Sequence, residues 1–229
     1  MFKKILVIFA MCLMATTTVF AGGITTVQVT GNSQQEIEPD IAKISLSITT
    51  INGDLALAKN ENSQNANQVF AKLKEQGIAD AQIKTKAYRI DPMYSYEKDQ
   101  LPKLTGYKVI NSIEVTTTIE KVGDLVNELT NVGANGINAI HFEKSNETSV
   151  KNDALRAAVK DALSKAEIIA STLDKHISAV KVVNESGTSY HPVVMESRAL
   201  KASLDAGSPP IAAGKITVSA TVQVTVELK

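Results

Sequence analysis

The last stretch of the chain has the clearest pattern of apolar and polar positions. From Lys215 to Leu228, Ile216, Val218, Ala220, Val222, Val224, Val226 and Leu228 alternate without error with Thr217, Ser219, Thr221, Gln223, Thr225 and Glu227. A period of two over this length predicts a long strand with one dry and one wet face, the habit of antiparallel sheet. Weaker alternation predicts strands at Ile24–Gly31 and Ile41–Ile51, where Ala42, Ile44, Leu46 and Ile48 hold one face. Further strands are predicted at Ile83–Ile90, Tyr107–Ile119, Ile137–Phe142, Ile177–Glu185 and Val193–Leu200. Within Tyr107–Ile119, polar Asn111 and Thr117 fall in register with the apolar Val109, Ile113 and Val115. Glu36-Ile37-Glu38-Pro39-Asp40 reads as a turn-like link between the first two strands, since Pro39 cannot donate to a ladder. Ala202–Gly214, which contains Gly207-Ser208-Pro209-Pro210, reads as a mobile loop.

Three segments carry helical periodicity. One follows Asn52-Gly53-Asp54 and stops at Gly77; a short one around Val122, Leu125, Val126 and Leu129 stops at Gly133. The longest runs from about Thr148 to Asp174, with Ala154, Ala158, Ala162, Ala166 and Ala170 recurring every four residues. A row of methyls lets a helix backbone lie close to its neighbour, either a sheet of the same chain or a second helix in an oligomer. Strands outnumber helices and the helices interrupt them irregularly. The fold class is therefore α+β: mostly antiparallel sheet or sheets with helices packed on one face. About 200 residues suit one large domain or two lobes, and a division near residue 120 is the place where two lobes would part.

The amino terminus changes the chemistry available. Lys3 and Lys4, an uncharged apolar run from Ile5 to Met14, and Val19-Phe20-Ala21 form the three regions of a secretory signal peptide, residues 1–21, with a mature chain of 22–229. The run is shorter than the roughly 20 residues a permanent membrane helix needs, and no second such stretch follows, so no transmembrane segment is expected after cleavage. The expected location is periplasmic or secreted. The single cysteine, Cys12, leaves with the signal, which removes disulfides, zinc–thiolate sites and thiol nucleophiles from consideration. Loss of Lys3 and Lys4 from 24 basic residues against 24 acidic ones leaves a mature net charge of about −2, with no basic stripe to neutralise phosphates. Nucleic acid is excluded as a partner.

A search for chemistry finds little. His141, His176 and His191 sit in no metal-ligand spacing, and nucleophile elbows, phosphate loops, zinc-protease helices and dinucleotide fingerprints are absent. Glu36, Glu38 and Asp40 match no calcium loop and read as a solvated acidic turn; a carboxylate hydrolase using Glu38 and Asp40 is the remote alternative. No catalytic residue, cofactor or metal is expected. One segment stands out: Tyr88, Tyr94, Tyr96 and Tyr107 are four of the five tyrosines, grouped around a polar, proline-bearing loop from Glu97 to Leu104. Two readings stand. The tyrosines cap the edge of the core with their hydroxyls in water, or they form an interaction surface, a use for which tyrosine is favoured.

The order and spacing of short motifs carry a resemblance. Val29-Thr30-Gly31, Pro39-Asp40-x-Ala42, Gly77-Ile78, Thr85-x-x-Tyr88 and Pro92-x-Tyr94 come first. Gly106-Tyr107-x-x-x-Asn111, Val122-Gly123, Gly133-Ala134, Phe142, Asp161-Ala162-x-x-Lys165-Ala166, Pro209-Pro210-Ile211 and Gly214 follow. The chain resembles the SIMPL-domain, YggE-like exported proteins, a group that includes periplasmic immunogenic antigens. The resemblance spans nearly all of the mature chain. It implies an α+β fold, export, oligomeric assembly in at least some members, and a loosely defined link to envelope or oxidative stress; homo-oligomers are therefore the expected partners. It implies no catalytic residues. The leading functional expectation is a non-enzymatic exported protein that self-assembles; the alternative is a module binding a small molecule, peptide or envelope component through the tyrosine hairpin.

Overall fold

A computed structural model describes residues 24–196 and 213–229. The expected signal peptide, the end of the strand expected to reach Leu200, and most of the loop expected at Ala202–Gly214 lie outside the described residues.

Among the described residues, eight strands form two antiparallel sheets and three α-helices cover them, each sheet with its own core. The smaller sheet has the order β1 (Thr25–Ile37), β8 (Ile216–Leu228), β6 (Ile177–His191). The larger has the order β3 (Ile83–Ser95), β4 (Lys103–Thr118), β2 (Ile41–Asn52), β5 (Gly136–Glu143), β7 (Val193–Glu196). The chain passes between the sheets four times: over Glu38-Pro39-Asp40, between β5 and β6, at Pro192, and between β7 and β8.

β8 is central in its sheet and behaves as its alternation predicts: Ile216, Val218, Val222, Val224 and Val226 are buried under one helix. That helix is α3 (Glu147–Thr172), which packs on the sheet through the row Ala154, Ala158, Ala162, Ala166 and Ala170, every one of them fully buried. Of the two uses open to the alanine row, contact with a sheet of the same chain is the one realised. On the larger sheet, β2 turns Ala42, Ile44, Leu46 and Ile48 inward beneath α1 (Leu55–Glu75) and α2 (Val122–Asn131), with Phe142 and Ile140 from β5 beside them. The opposite faces of both sheets are polar and open. Among the described residues, Val193 is the one side chain that packs against the edge of both cores.

β4 begins at Lys103, four residues before its expected start, as the partner of the extended β3; three strands run past their expected carboxyl ends, each for a different reason. β1 continues through Glu36 to Ile37 because Ser33 and Gln35, not apolar residues, occupy its inward positions opposite Ala220 and Val218. β3 continues through Pro92 because it is an edge strand, where a missing N–H costs no ladder bond. β6 continues past Glu185 by way of bulges at Val180/Val182 and Glu185/Gly187, which break the period that marks a strand in sequence.

Helix ends follow the residues beside them. The Asp54 carboxylate accepts the Leu57 N–H at 3.0 Å and starts α1, while Gly77, at φ +76°, reverses the chain after it. Inside α1, Asn62 is fully buried, and its Nδ2 donates to the carbonyls of Ile48 (2.8 Å) and Val109 (3.3 Å), tying the helix to β2 and β4. Thr117 is buried on the same sheet face, in the apolar register the sequence placed it in.

Candidate functional site

Beyond β2, which ends at Asn52 opposite Tyr107, β3 and β4 continue as a two-stranded arm with no third strand beside it. The base of the arm passes so close to the end of β2 that a Cβ on Gly106 would lie 2.7 Å from the Asn52 carbonyl oxygen, which explains glycine before Tyr107. At the far end, the Glu97 carbonyl and carboxylate both accept from Gln100 (3.2 and 3.0 Å), and Asp99 takes φ +63°. The turn is thus closed by its own side chains, leaving the apolar residues of the arm outside.

The four tyrosines occupy different heights on this element. Tyr94 and Tyr96 sit on the arm itself, exposed, together with Met93, Leu101 and Leu104; Leu101 is 90% exposed. Tyr88 is also exposed but lies about 20 Å further down β3, six residues from Tyr94. Tyr107 is half-buried at the base, opposite Pro92. The structure therefore joins Tyr94 and Tyr96 with aliphatic residues at the end of the arm and places the other two along its root. Opposite Tyr88, Asn111 points its side chain to the helix-covered face, and its Oδ1 has no hydrogen-bond partner; neither has the buried Oδ1 of Asn62.

The second polar concentration lies where the sheets join. Asp40 accepts from the Ser145 N–H (2.7 Å) and Ser145 Oγ (2.9 Å) and pairs with Lys144 (3.2 Å). The Tyr190 hydroxyl accepts the Lys144 N–H at 2.7 Å, and the Lys151 ammonium stands 5.7 Å above the Tyr190 ring. Lys43 and Glu143 pair at 2.5 Å on the open face of the larger sheet. Residues from β2, β5, α3 and β6 thus converge where the sheets join. Sequence reasoning marked Asp40 as a turn residue and missed its partners, because Ser145 and Tyr190 are remote in the chain and match no motif.

Burial alone pushes the Asp40 carboxyl upward, but the two Ser145 bonds and the Lys144 ammonium outweigh it and hold the group below the ordinary carboxylate range. Asp161 is also lowered, by Lys165 first and then by the Asn32 N–H. A carboxyl depressed in the folded state adds stability that is complete above its unfolded value, near 4, and is lost as pH falls through its folded value. The melting temperature should therefore hold through neutral pH and fall below about pH 4. In Asp40→Asn that acid-induced fall should be smaller, because the variant has no carboxylate there to protonate; a pH series of thermal melts checks this.

Asp40 is engaged by Ser145 and Lys144, and Glu38 stands exposed beside it. His176 and His191 are exposed, and His141 is half-buried on the open face between Lys43 and Val194. Among the described residues no three His, Cys, Asp or Glu side chains gather as a metal site would require, and no helix is long and apolar enough to cross a membrane. A shallow depression on the open face of the smaller sheet is lined by Asn32, Gln34, Ser219 and Thr221, and a second lies among Gln76, Ile78, Glu120 and Asp124; no tyrosine borders either.

The motifs that carry the resemblance meet in space as joints. Lys165 donates to the Thr30 carbonyl at 3.0 Å, Asp161 accepts the Asn32 N–H at 2.8 Å, and the two side chains pair at 2.6 Å. They occupy backbone groups at the outer edge of β1 that a further strand would otherwise take. Gly31, between them, allows α3 to touch the strand. Pro39-Asp40 forms one crossing, and Gly106-Tyr107 the root of the arm.

Comparison with known proteins agrees with this arrangement. The model of the SIMPL family, described as a protein of unknown function (DUF541), matches residues 27–226. The 26 kDa periplasmic immunogenic protein of Brucella melitensis is 28% identical over 211 residues, covering 89% of this chain and 84% of that protein. Uncharacterized protein YggE of Escherichia coli K12 is 25% identical over 166 residues, covering 72% of this chain and 67% of that protein. YggE of Edwardsiella ictaluri is 24% identical over 167 residues, 72% of this chain and 70% of the relative. With the family model spanning most of its length, from the third residue of β1 almost to the end of β8, the chain belongs to the SIMPL family.

Proposed function

We propose that this chain is an exported, non-enzymatic SIMPL protein that works in the periplasm or outside the cell, assembles with copies of itself, and contributes to tolerance of envelope or oxidative stress. Residues 1–21 direct export and residues 22–229 act as one domain. The observation that carries the reading is the arm: an ordered ribbon that holds Tyr94, Tyr96 and Leu101 in water has no role in its own core and is built to touch something else. Tyr88 and Tyr107 extend that surface toward the body of the protein. The periplasmic name of the Brucella relative supports the compartment, and the family resemblance supports the stress role. Sedimentation velocity on the mature chain across micromolar concentrations should show species larger than monomer; monomer alone throughout would end the assembly reading.

A binding module is the second reading, favoured by the free Tyr94 and Tyr96 side chains. On that reading, changing both to Ala abolishes thermal stabilisation by a periplasmic small-molecule or peptide fraction while leaving the unliganded melt unchanged.

A further inference from the structure

The dipeptide Asn-Gly occurs twice in the chain, at Asn52-Gly53 and at Asn135-Gly136, and both pairs stand near the end of β2. Such a pair is chemically labile, because glycine has no side chain to keep its main-chain nitrogen away from the neighbouring carboxamide. The fold treats the two pairs in opposite ways. The Asn135 side chain fills a strand position beside β2: its Oδ1 accepts the Thr49 N–H at 2.9 Å and its Nδ2 donates to the Thr49 carbonyl at 2.6 Å. Both halves of the carboxamide are thus held against β2 and away from the following peptide. Gly136 is seated as closely, since a Cβ there would stand 2.2 Å from Ser47 Oγ.

Asn52 is the last residue of β2, and Gly53 and Asp54 after it are exposed. Its Oδ1 accepts the Asp54 N–H at 3.0 Å, and among the described residues no partner holds its Nδ2. Nothing lies within 4 Å of the position a Gly53 Cβ would take, so the Gly53 peptide has room to turn. The one hydrogen bond at Asn52 favours reaction. It falls on the oxygen that takes up negative charge when a nucleophile adds to Cγ, as a donor in an oxyanion hole does. It also leaves the amide nitrogen, the departing group, untied.

We infer that Asn52-Gly53 is a site of spontaneous covalent modification in the folded chain, and that Asn135-Gly136 is protected from it. The Gly53 main-chain nitrogen gives its proton to solvent and attacks Asn52 Cγ. An N–Cγ bond forms, the Cγ–Nδ2 bond breaks, and Nδ2 takes up a proton and leaves as ammonia, closing a succinimide ring. Water then opens the ring at either carbonyl and returns the proton to the nitrogen, so one water enters for each ammonia lost. Opening at Cγ leaves an aspartyl residue at position 52; opening at the main-chain carbonyl leaves an isoaspartyl one. Either product adds a negative charge beside Asp54, the residue that caps α1. The isoaspartyl product also lengthens the main chain by one carbon at the root of the arm, where a Gly106 Cβ would already stand 2.7 Å from the Asn52 carbonyl oxygen. Asn135 must release both Thr49 bonds before its Cγ can reach the Gly136 nitrogen, which slows it about ten- to hundredfold.

Peptide mapping by mass spectrometry tests the inference, following both pairs as the purified chain ages in mildly alkaline buffer, folded and in concentrated urea. The ratio of the two rates in urea gives their intrinsic difference. In the folded chain the ratio of Asn52 to Asn135 conversion should exceed the urea ratio by about tenfold or more. Fragment spectra should show aspartyl and isoaspartyl forms together at position 52, the two products of one ring. Gly53→Ala should slow conversion at residue 52 and leave the melting curve unchanged, since its Cβ meets open space. An unconverted Asn52 in the folded chain, or a folded ratio less than about tenfold above the urea ratio, overturns the inference. Aspartyl product alone, or undiminished conversion in Gly53→Ala, overturns the ring route.

Discussion

Gly31→Ala should cost more than about 3 kcal/mol and shift the urea midpoint strongly downward with little change in slope. A Cβ at Gly31 would stand 2.1 Å from the Ala158 carbonyl oxygen and 2.6 Å from the Ala162 nitrogen. Both are atoms of the α3 backbone, so no rotamer change relieves the clash and the helix itself must lift from β1. Lifting α3 exposes its alanine row and breaks the bonds from Lys165 to Thr30 and from Asn32 to Asp161, which lie on either side of Gly31. The effect should far exceed the few tenths of a kcal/mol of an ordinary surface change. Equilibrium urea unfolding followed by circular dichroism checks it; a loss below about 1 kcal/mol would show that α3 is not seated as described.

Phe142→Ala should destabilise by about 3–5 kcal/mol through the other core. Phe142 is the bulkiest fully buried side chain among the described residues, and it sits on β5 within the cluster formed by β2, α1 and α2. The chain has few aromatics, and the surrounding Ile, Leu and Val side chains cannot close over a ring-sized void without moving strands. The two substitutions lie in cores that, among the described residues, share Val193 alone at their edges. Their costs should therefore add within about 0.5 kcal/mol in the double variant, measured by the same urea titration.

Much of the fold is legible in single residues. The unbroken alternation of β8 announces a central strand wet on one face, and each of its apolar positions is buried. The alanine row of α3 announces close packing, although not its target, because a methyl stripe suits a sheet and a second helix equally. Less legible is everything set by distant pairing. Nothing near Pro39-Asp40 points to Ser145, 105 residues away. Val180, Val182 and Val183 read as an ordinary strand, yet bulges on either side reset which face each shows, and only the limited width of α3 leaves two of them uncovered. The arm is visible as a tyrosine-rich hairpin, but its length depends on β2 ending at Asn52, a fact of pairing rather than of composition.

These features give the motifs a physical meaning. Gly31, Asp161 and Lys165 seat the helix and close one sheet edge; Pro39 and Asp40 fix a crossing; Gly106 lets the arm leave the body. Together they build a body of two sheets from which the arm projects.

Native mass spectrometry of the chain recovered from the cell envelope is the most direct measurement. The expected result is a protomer beginning at Gly22, present in complexes of two or more copies that dissociate when Leu101 and Leu104 are changed to Glu. A chain retaining residues 1–21, or a cleaved chain that remains monomeric throughout, would contradict the assignment of this protein as an exported, self-assembling scaffold.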